Sequence, residues 1–156
     1  MMTVDEDKRR DMMGFSNDRA NHSLEVAKQM YEKALEQTGD EFYARKMFHL
    51  GIVHDIGYQF SENTKEHPHV GGLFLKEEGY EFWEEVYEHG NPDVDSPTRE
   101  LMLLNWADMH TDGKGNRVSF EERLKDIKNR YGVDSAEYIR ARTVIEKYER
   151  NGGFIL

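Results

Sequence analysis

The residues best suited to chemistry in this sequence are His54 and Asp55, side by side in the segment LGIVHDIGY at positions 50–58. Imidazole and carboxylate groups are common ligands of transition-metal ions. Neighbouring residues of a regular helix point about 100° apart, so both can reach one ion only near a helix end or an irregular turn. Gly57 predicts such an end, since glycine adopts the left-handed cap conformation without penalty. The pair therefore predicts a metal centre that other histidines and aspartates complete.

Further ionisable residues fall on apolar helix faces or at helix ends. They are His22, His67, His89 and Asp108. Asp108 follows Leu101 and Leu104 at helical spacing, and an unpaired carboxylate on an apolar face is costly to bury. Each residue alone has a simpler explanation. A histidine there can be a hydrogen-bonded core residue, and Asp108 can be a helix cap or the partner of a buried arginine. The six residues therefore carry weight only as a set.

Helices must position these residues, because apolar side chains recur at helical spacing and Glu, Lys, Arg and Ala favour helix. Helices are predicted at residues 22–37, 41–55, 68–78, 98–109, 119–131 and 135–150, with an aromatic segment at 80–88 and a loop at 58–66. Asp40 is a predicted cap, Ser119 and Glu122 form a predicted capping box, and Gly132 is a predicted stop. Residues 1–16 are expected to form a short helix or an arm.

Length, charge and composition limit the fold and the classes of function. The chain has 156 residues, so we expect an all-α, single-domain helical bundle of about six to eight helices. A net charge of −10 argues against polymeric nucleic acid as the main partner, but not against small phosphorylated molecules. The absence of cysteine excludes thiolate metal sites and a cysteine nucleophile. Because no signal peptide or membrane-length apolar run is evident, we expect a cytoplasmic protein that does not enter a membrane.

Taken together, the six residues resemble the motif of the HD-domain superfamily of metal-dependent phosphohydrolases. That motif is a histidine, then a His-Asp pair, then a distal aspartate, each on a separate helix. The segment Arg19-Ala-Asn-His22-Ser resembles its opening, His54-Asp-Ile-Gly57 its His-Asp signature, and Ala107-Asp108 its close. The resemblance covers residues 19–110. It leaves residues 119–150 as two packing helices without a usable motif.

Two more histidines are similar to those of the two-metal branch, which includes the bacterial diadenosine tetraphosphate hydrolases. They are His67, in the segment His67-Pro-x-x-Gly71, and His89. The resemblance implies one or two divalent transition metals, with iron favoured over manganese, nickel, cobalt or zinc. His22, His54 and Asp108 would hold one ion, His67 and His89 the other, and Asp55 would bridge them. Tyr58 stands where many members carry lysine.

The resemblance implies hydrolysis of a nucleotide or related small phosphorylated molecule through metal-bound hydroxide, with Asp55 and Arg19 as catalytic residues. Arg19 would bind a substrate phosphate. The alternative is that Arg19 forms a structural ion pair with Asp18, Glu25 or another carboxylate. Lys65 and its neighbours Glu62 and Glu66 are substrate-binding candidates or members of a solvated loop. The same six ligands also suit a di-iron oxygenase that cleaves C–C or C–P bonds. A third alternative is a non-catalytic metal or nucleotide sensor.

Three further histidines are not assigned to the metal centre. We expect His69 and His110 to be surface groups or neighbours of the ligands, and His49 to be structural. The aromatic segment at 80–88 is expected in the core rather than in a dimer contact. The sequence is compatible with a monomer or a homodimer.

Overall fold

The computed structural model describes residues 17–61 and 65–150. This part of the chain forms seven α-helices, as its helical periodicity predicts. They are α1 Asn17–Thr38, α2 Glu41–Val53, α3 His67–Glu77, α4 Trp83–Glu88, α5 Arg99–Met109, α6 Phe120–Tyr131 and α7 Ala136–Arg150. A 3₁₀ turn, Ile56–Gln59, connects α2 to the segment before α3. The expectations for residues 1–16 and for Glu62 lie outside the described residues.

The helix ends follow the local signals of the sequence. The Asp40 side chain accepts a hydrogen bond from the backbone N–H of Tyr43 at 3.1 Å and so caps α2. Ser119 and Glu122 form the predicted capping box at the start of α6. Gly132, with φ of 93°, ends that helix in a conformation that side chains other than glycine rarely adopt. These predictions are confirmed.

Two helix boundaries next to the candidate site differ from the prediction. Within the described residues the first helix spans Asn17–Thr38, so it extends before the predicted start at His22. Asp18 lies near its N-terminal end, where the helix dipole favours a negative charge. The longer helix places Arg19 one helical turn before His22. The second helix ends at Val53, so His54 and Asp55 belong to the turn that follows it rather than to its last residues.

Gly57 is not the left-handed cap that the sequence predicted, because it is not one of the glycines with positive φ. Its role is close packing. A Cβ at Gly57 would overlap the carbonyl oxygen of His67, and a Cβ at Gly71 would lie 2.9 Å from the backbone nitrogen of Gly57. The 3₁₀ turn and α3 therefore meet backbone to backbone, which brings His67 close to Asp55.

The main core lies between α1, α2 and α5, with α3 and α4 packed on one side. Its fully buried members include Val26, Met30, Met47, Leu50 and Leu104. The first two helices cross closely at Gly51, where a Cβ would lie 2.5 Å from the Cα of Ala27. This packing fixes the end of α2 against α1, and thus His54 against His22.

A second apolar cluster joins α6 and α7 to the end of α5. It contains Met109, Ile127, Ala141, Val144 and Ile145. The predicted all-α bundle of about six to eight helices is thereby confirmed, while the prediction that residues 1–156 form one domain stays a prediction. Among the described helices, none combines the length and the apolar character needed to cross a bilayer.

Candidate metal centre

The first candidate ligand, His22, is buried on the face of α1 that contacts the end of α5. Its Nδ1 lies 2.8 Å from the carbonyl oxygen of Asp112, in the turn after α5, and donates a hydrogen bond to it. Its Nε2 lies 2.8 Å from Oδ1 of Asp108. The ring is therefore held at one nitrogen by the backbone and points the other nitrogen at a carboxylate.

His54 and Asp55 reach the same space because α2 ends immediately before them. His54 keeps helical backbone angles, whereas Asp55 has φ of −101° and ψ of 18°, so their side chains no longer diverge as on a regular helix. His54 donates from Nδ1 to the carbonyl oxygen of Gly51 at 2.7 Å. Its Nε2 lies 3.3 Å from Oδ2 of Asp55 and 3.7 Å from Oδ1 of Asp108.

The third and fourth histidines approach Asp55 from the other side. His67 begins α3, and its Nε2 lies 3.1 Å from Oδ1 of Asp55. His89 follows α4 and donates from Nδ1 to the carbonyl oxygen of Val86 at 2.6 Å. Its Nε2 lies 3.3 Å from the same Oδ1 and 3.3 Å from Nε2 of His67.

Asp55 thus occupies the centre of the cluster, with each carboxylate oxygen facing a different pair of histidines. Oδ2 lies 3.7 Å from Nε2 of His22 and 3.3 Å from Nε2 of His54, while Oδ1 faces His67 and His89. A carboxylate with two separately surrounded oxygens has the arrangement of a bridging ligand. All six residues selected from the sequence are brought together; their role as ligands is a prediction.

The donor set fits a metal ion. His22, His54 and His89 each donate from Nδ1 to a backbone carbonyl, the arrangement that fixes a ligating histidine and leaves Nε2 for the metal. Nε2 of His54 is fully buried and makes no hydrogen bond to the described residues, although burying such a group is costly. Several groups of three donor atoms lie within 4.8 Å of one another, so the cluster can hold a metal ion.

Burial and charge set the protonation of the cluster. Burial would raise the pKa of Asp55, but the charge of His54 and the neighbouring histidines outweigh it and hold that pKa well below its usual value. The pKa of Asp108 is also held well below its usual value, since His22 and His54 outweigh the effect of burial. Burial would lower the pKa of His54, but Asp55 and Asp108 hold it well above its usual value. Without metal, a proton on His54 therefore supplies positive charge that a metal ion would replace.

A cavity of about 430 Å³ opens onto this cluster, a volume typical of small-molecule sites. His22, Asp55 and His89 lie in its wall. Its cationic residues are Arg19, Lys65, Arg123, Arg130 and Arg140. These cations outnumber the carboxylates of the wall in a chain whose net charge is −10. The cavity is therefore locally suited to an anionic ligand.

Arg19 lies in the cavity wall, at one end of a stack formed with Tyr58 and His67. Its guanidinium carbon lies 3.9 Å from the centre of the Tyr58 ring, and Tyr58 stacks on His67 with ring centres 4.1 Å apart. Glu25, one of the ion-pair partners considered for Arg19, instead pairs with Arg117 at 2.8 Å. Tyr58, which the sequence marked only as a departure from the HD pattern, therefore positions both Arg19 and His67.

The remaining predicted residues lie around the cluster or away from it. Lys65 is exposed at the edge of the cavity, and His69 lies there too, stacked on Tyr87. His110 donates to the carbonyl oxygen of Val118 and stacks on Phe120, so it belongs to the packing around α5. His49 is exposed and contacts Tyr80 edge to face. These histidines are not members of the donor groups.

Sequence reasoning missed the contribution of the last two helices, which it treated as packing elements. Arg123 and Arg130 from α6 and Arg140 from α7 line the cavity. A signal was present: Arg123 and Arg130 lie on the same face of α6 as the buried Ile127, at spacings of i, i+4 and i+7. Arginines that flank the buried residue of an amphipathic helix are candidates for contact with an anionic group beside that helix.

The chain matches no protein-family model, no curated protein and no solved structure. The resemblance to the HD superfamily therefore stays a prediction. The geometry of the cluster and its cavity is the physical basis for assigning a function.

Proposed function

We propose that this chain is a metal-dependent phosphohydrolase of the HD type that acts on a nucleotide or related small phosphorylated molecule. One observation carries the proposal. The two oxygens of Asp55 face separate histidine pairs at the wall of a cavity rich in cations. Water would be added across a phosphoric ester or anhydride bond, so that one product keeps the phosphoryl group and the leaving oxygen gains a proton.

The cluster offers donors for two ions. His22, His54 and Asp108 would hold one together with Oδ2 of Asp55, and His67 and His89 would hold the other together with Oδ1. Imidazole and carboxylate donors suit iron, which we favour, and also manganese, nickel, cobalt or zinc. Bound ions of this kind supply Lewis acidity toward a phosphoryl oxygen and an acidified water as the nucleophile.

The side chains around the cluster would orient the substrate and neutralise its charge. Arg19, stacked on Tyr58, presents a planar guanidinium suited to two-pronged contact with a phosphate. Burial of the cluster strengthens electrostatic interactions with the phosphoryl group, because water screens them less there. Tyr131, which is 42% exposed, also lines the cavity and offers ring surface for a nucleobase, which supports a nucleotide over a phosphorylated molecule without a ring system.

Activity of the metal-loaded protein on defined substrates tests the proposal. The protein is purified with iron or manganese and incubated with a panel of nucleotides and dinucleoside polyphosphates, and the nucleotide products and any released phosphate or pyrophosphate are quantified. Asp55→Ala should abolish the activity, whereas the matched variant of an exposed aspartate, Asp95→Ala, should retain it. Activity that survives in Asp55→Ala contradicts the proposal.

The same preparation separates the two alternatives. Full activity with manganese under anaerobic conditions would exclude an oxygenase, because cleavage by O₂ would then be impossible. Stoichiometric metal binding without turnover of any compound in the panel would instead indicate a sensor.

A further inference from the structure

We propose that Arg123 and Arg130 form an anion clamp, held by the single carboxylate of Asp126, that binds a phosphoryl group beside the metal-ligand cluster. The inference deepens the proposed function. Phosphoryl binding by the two arginines does not depend on hydrolysis; only the reaction of the bound group rests on the proposed function. It assigns a binding role to α6, a helix that the sequence analysis predicted to serve only for packing.

Asp126 contacts both guanidinium groups, one with each carboxylate oxygen. Nη1 of Arg123 donates to Oδ2 of Asp126 at 2.9 Å, and Nε of Arg130 lies 3.4 Å from Oδ1. The backbone N–H of Gly113 also donates to Oδ2, at 3.1 Å. Because Gly113 has no side chain, the guanidinium of Arg130 packs directly on it; a Cβ there would overlap that group. These contacts orient both guanidinium groups at the cavity wall.

The clamp lies next to the candidate metal ligands. Nη2 of Arg123 is 3.8 Å from Oδ1 of Asp108, and both arginines line the cavity into which His22, Asp55 and His89 open. A phosphoryl group at the cluster would therefore come within reach of Arg123. Arg130 lies on the same face of α6, two helical turns further along.

The trio of Arg123, Arg130 and Asp126 keeps a net positive charge, because two guanidinium groups share one carboxylate. Asp108, 3.8 Å from Arg123, offsets part of that charge. The side chain of Arg123 is 12% exposed, and its contact with Asp126 is the one hydrogen bond it makes to the described residues. Its Nε is buried without a partner among those residues. An ion pair that served stability alone would be expected to satisfy a buried guanidinium more completely.

A structural ion pair is the competing explanation, since spacings of i, i+3 and i, i+4 are common on exposed helix faces. The exposed pair of Arg142 and Glu146 on α7 is an example of that kind, with both side chains largely in solvent. The trio on α6 differs because it faces the cavity and approaches a candidate metal ligand. A planar guanidinium fork is also the side chain best matched to phosphate oxygens. These differences favour a phosphoryl ligand.

Binding of inorganic phosphate to the metal-loaded protein, measured by isothermal titration calorimetry, tests the clamp independently of turnover. Arg123→Gln and Arg130→Gln should each weaken phosphate binding by about tenfold or more, the usual effect of losing a charged hydrogen bond. Arg123→Lys should restore part of the affinity. Arg142→Gln is the matched control and should bind phosphate like the parent protein. Metal content and the melting temperature are measured for each variant, and Arg130, whose side chain is 39% exposed, provides a variant expected to fold.

The results distinguish failure of the clamp from failure of the proposed function. Undetectable phosphate binding by the parent protein, or equal affinity in the parent, Arg123→Gln and Arg130→Gln, would overturn the clamp, whatever the hydrolytic activity. Phosphate binding that depends on both arginines, in a protein that hydrolyses none of the substrates tested, would support the clamp and contradict the proposed function.

Discussion

Asp55→Asn removes one negative charge from the centre of the cluster and leaves the shape of the side chain almost unchanged. Both oxygens of Asp55 are in use, since Oδ1 lies 3.1 Å from Nε2 of His67 and Oδ2 lies 3.3 Å from Nε2 of His54. We expect this variant to lose metal affinity at both halves of the cluster and to be less stable than the parent protein without metal.

The cost to the metal-free protein follows from the distance between charges. A proton on His54 and the charge of Asp55, 3.3 Å apart, attract each other by about 5 kcal/mol at an effective dielectric constant near 20. Breaking a buried ion pair by removing one partner typically costs about 3–5 kcal/mol. For a chain of this length, that corresponds to a melting temperature lower by about 6–20 °C.

The effect on metal binding should be larger than that of changing a residue that only orients a ligand, which costs about 10–100-fold in affinity. Because Asp55 faces both histidine pairs, the variant should hold fewer ions than the parent. His67→Gln changes only the side that faces Oδ1 and should lose one ion while retaining the other.

Metal content after dialysis, calorimetric titration with Mn²⁺, and melting in EDTA measure these effects. Asp95→Asn is the control, because that carboxylate is exposed. If Asp55→Asn binds two ions with the affinity of the parent, Asp55 is not a bridging ligand. If its melting temperature in EDTA is also unchanged, the electrostatic account of the cluster is wrong as well.

Three further predictions concern the charge, the packing and the caps around the site. In EDTA, Asp55 and Asp108 stabilise the fold fully above the ordinary carboxyl pKa near 4, and this stability is lost as the pH falls through their lowered pKa values. His54 stabilises the fold fully below about pH 6.5, and this stability is lost as the pH rises through its raised pKa. The melting temperature without metal should therefore be highest between about pH 4 and 6.5, and a constant value from pH 5 to 9 would contradict this account. Gly57→Ala should lower the free energy of unfolding by about 1–3 kcal/mol, because the added Cβ overpacks against α3. The variant should also lose the ion held by His67, which metal analysis would detect. Retention of two ions would refute the packing role. Ser119→Ala should lower the free energy of unfolding in urea by about 1 kcal/mol, because the capping box is lost. Its metal content should be unchanged.

Much of the helical framework could be predicted from the sequence because its signals are local. The cap at Asp40, the capping box at Ser119 and the stop at Gly132 each depend on residues within about one turn of the chain, so they can be recognised without tertiary contacts. The six candidate ligands could be selected for the same reason: their residue types and their positions at helix ends or on apolar faces are visible in the sequence.

The tertiary structure decided how those residues meet. His22 and Asp108 are 86 positions apart, and the 2.8 Å contact between them depends on the packing of α1 against α5. Which oxygen of Asp55 faces which histidine, and the close contact of Gly57 with α3, follow from that packing as well. The arginines of α6 belong to the cavity only because the second apolar cluster places that helix beside the end of α5. Periodicity shows which face of a helix is buried, but not which residues from elsewhere in the chain that face will contact.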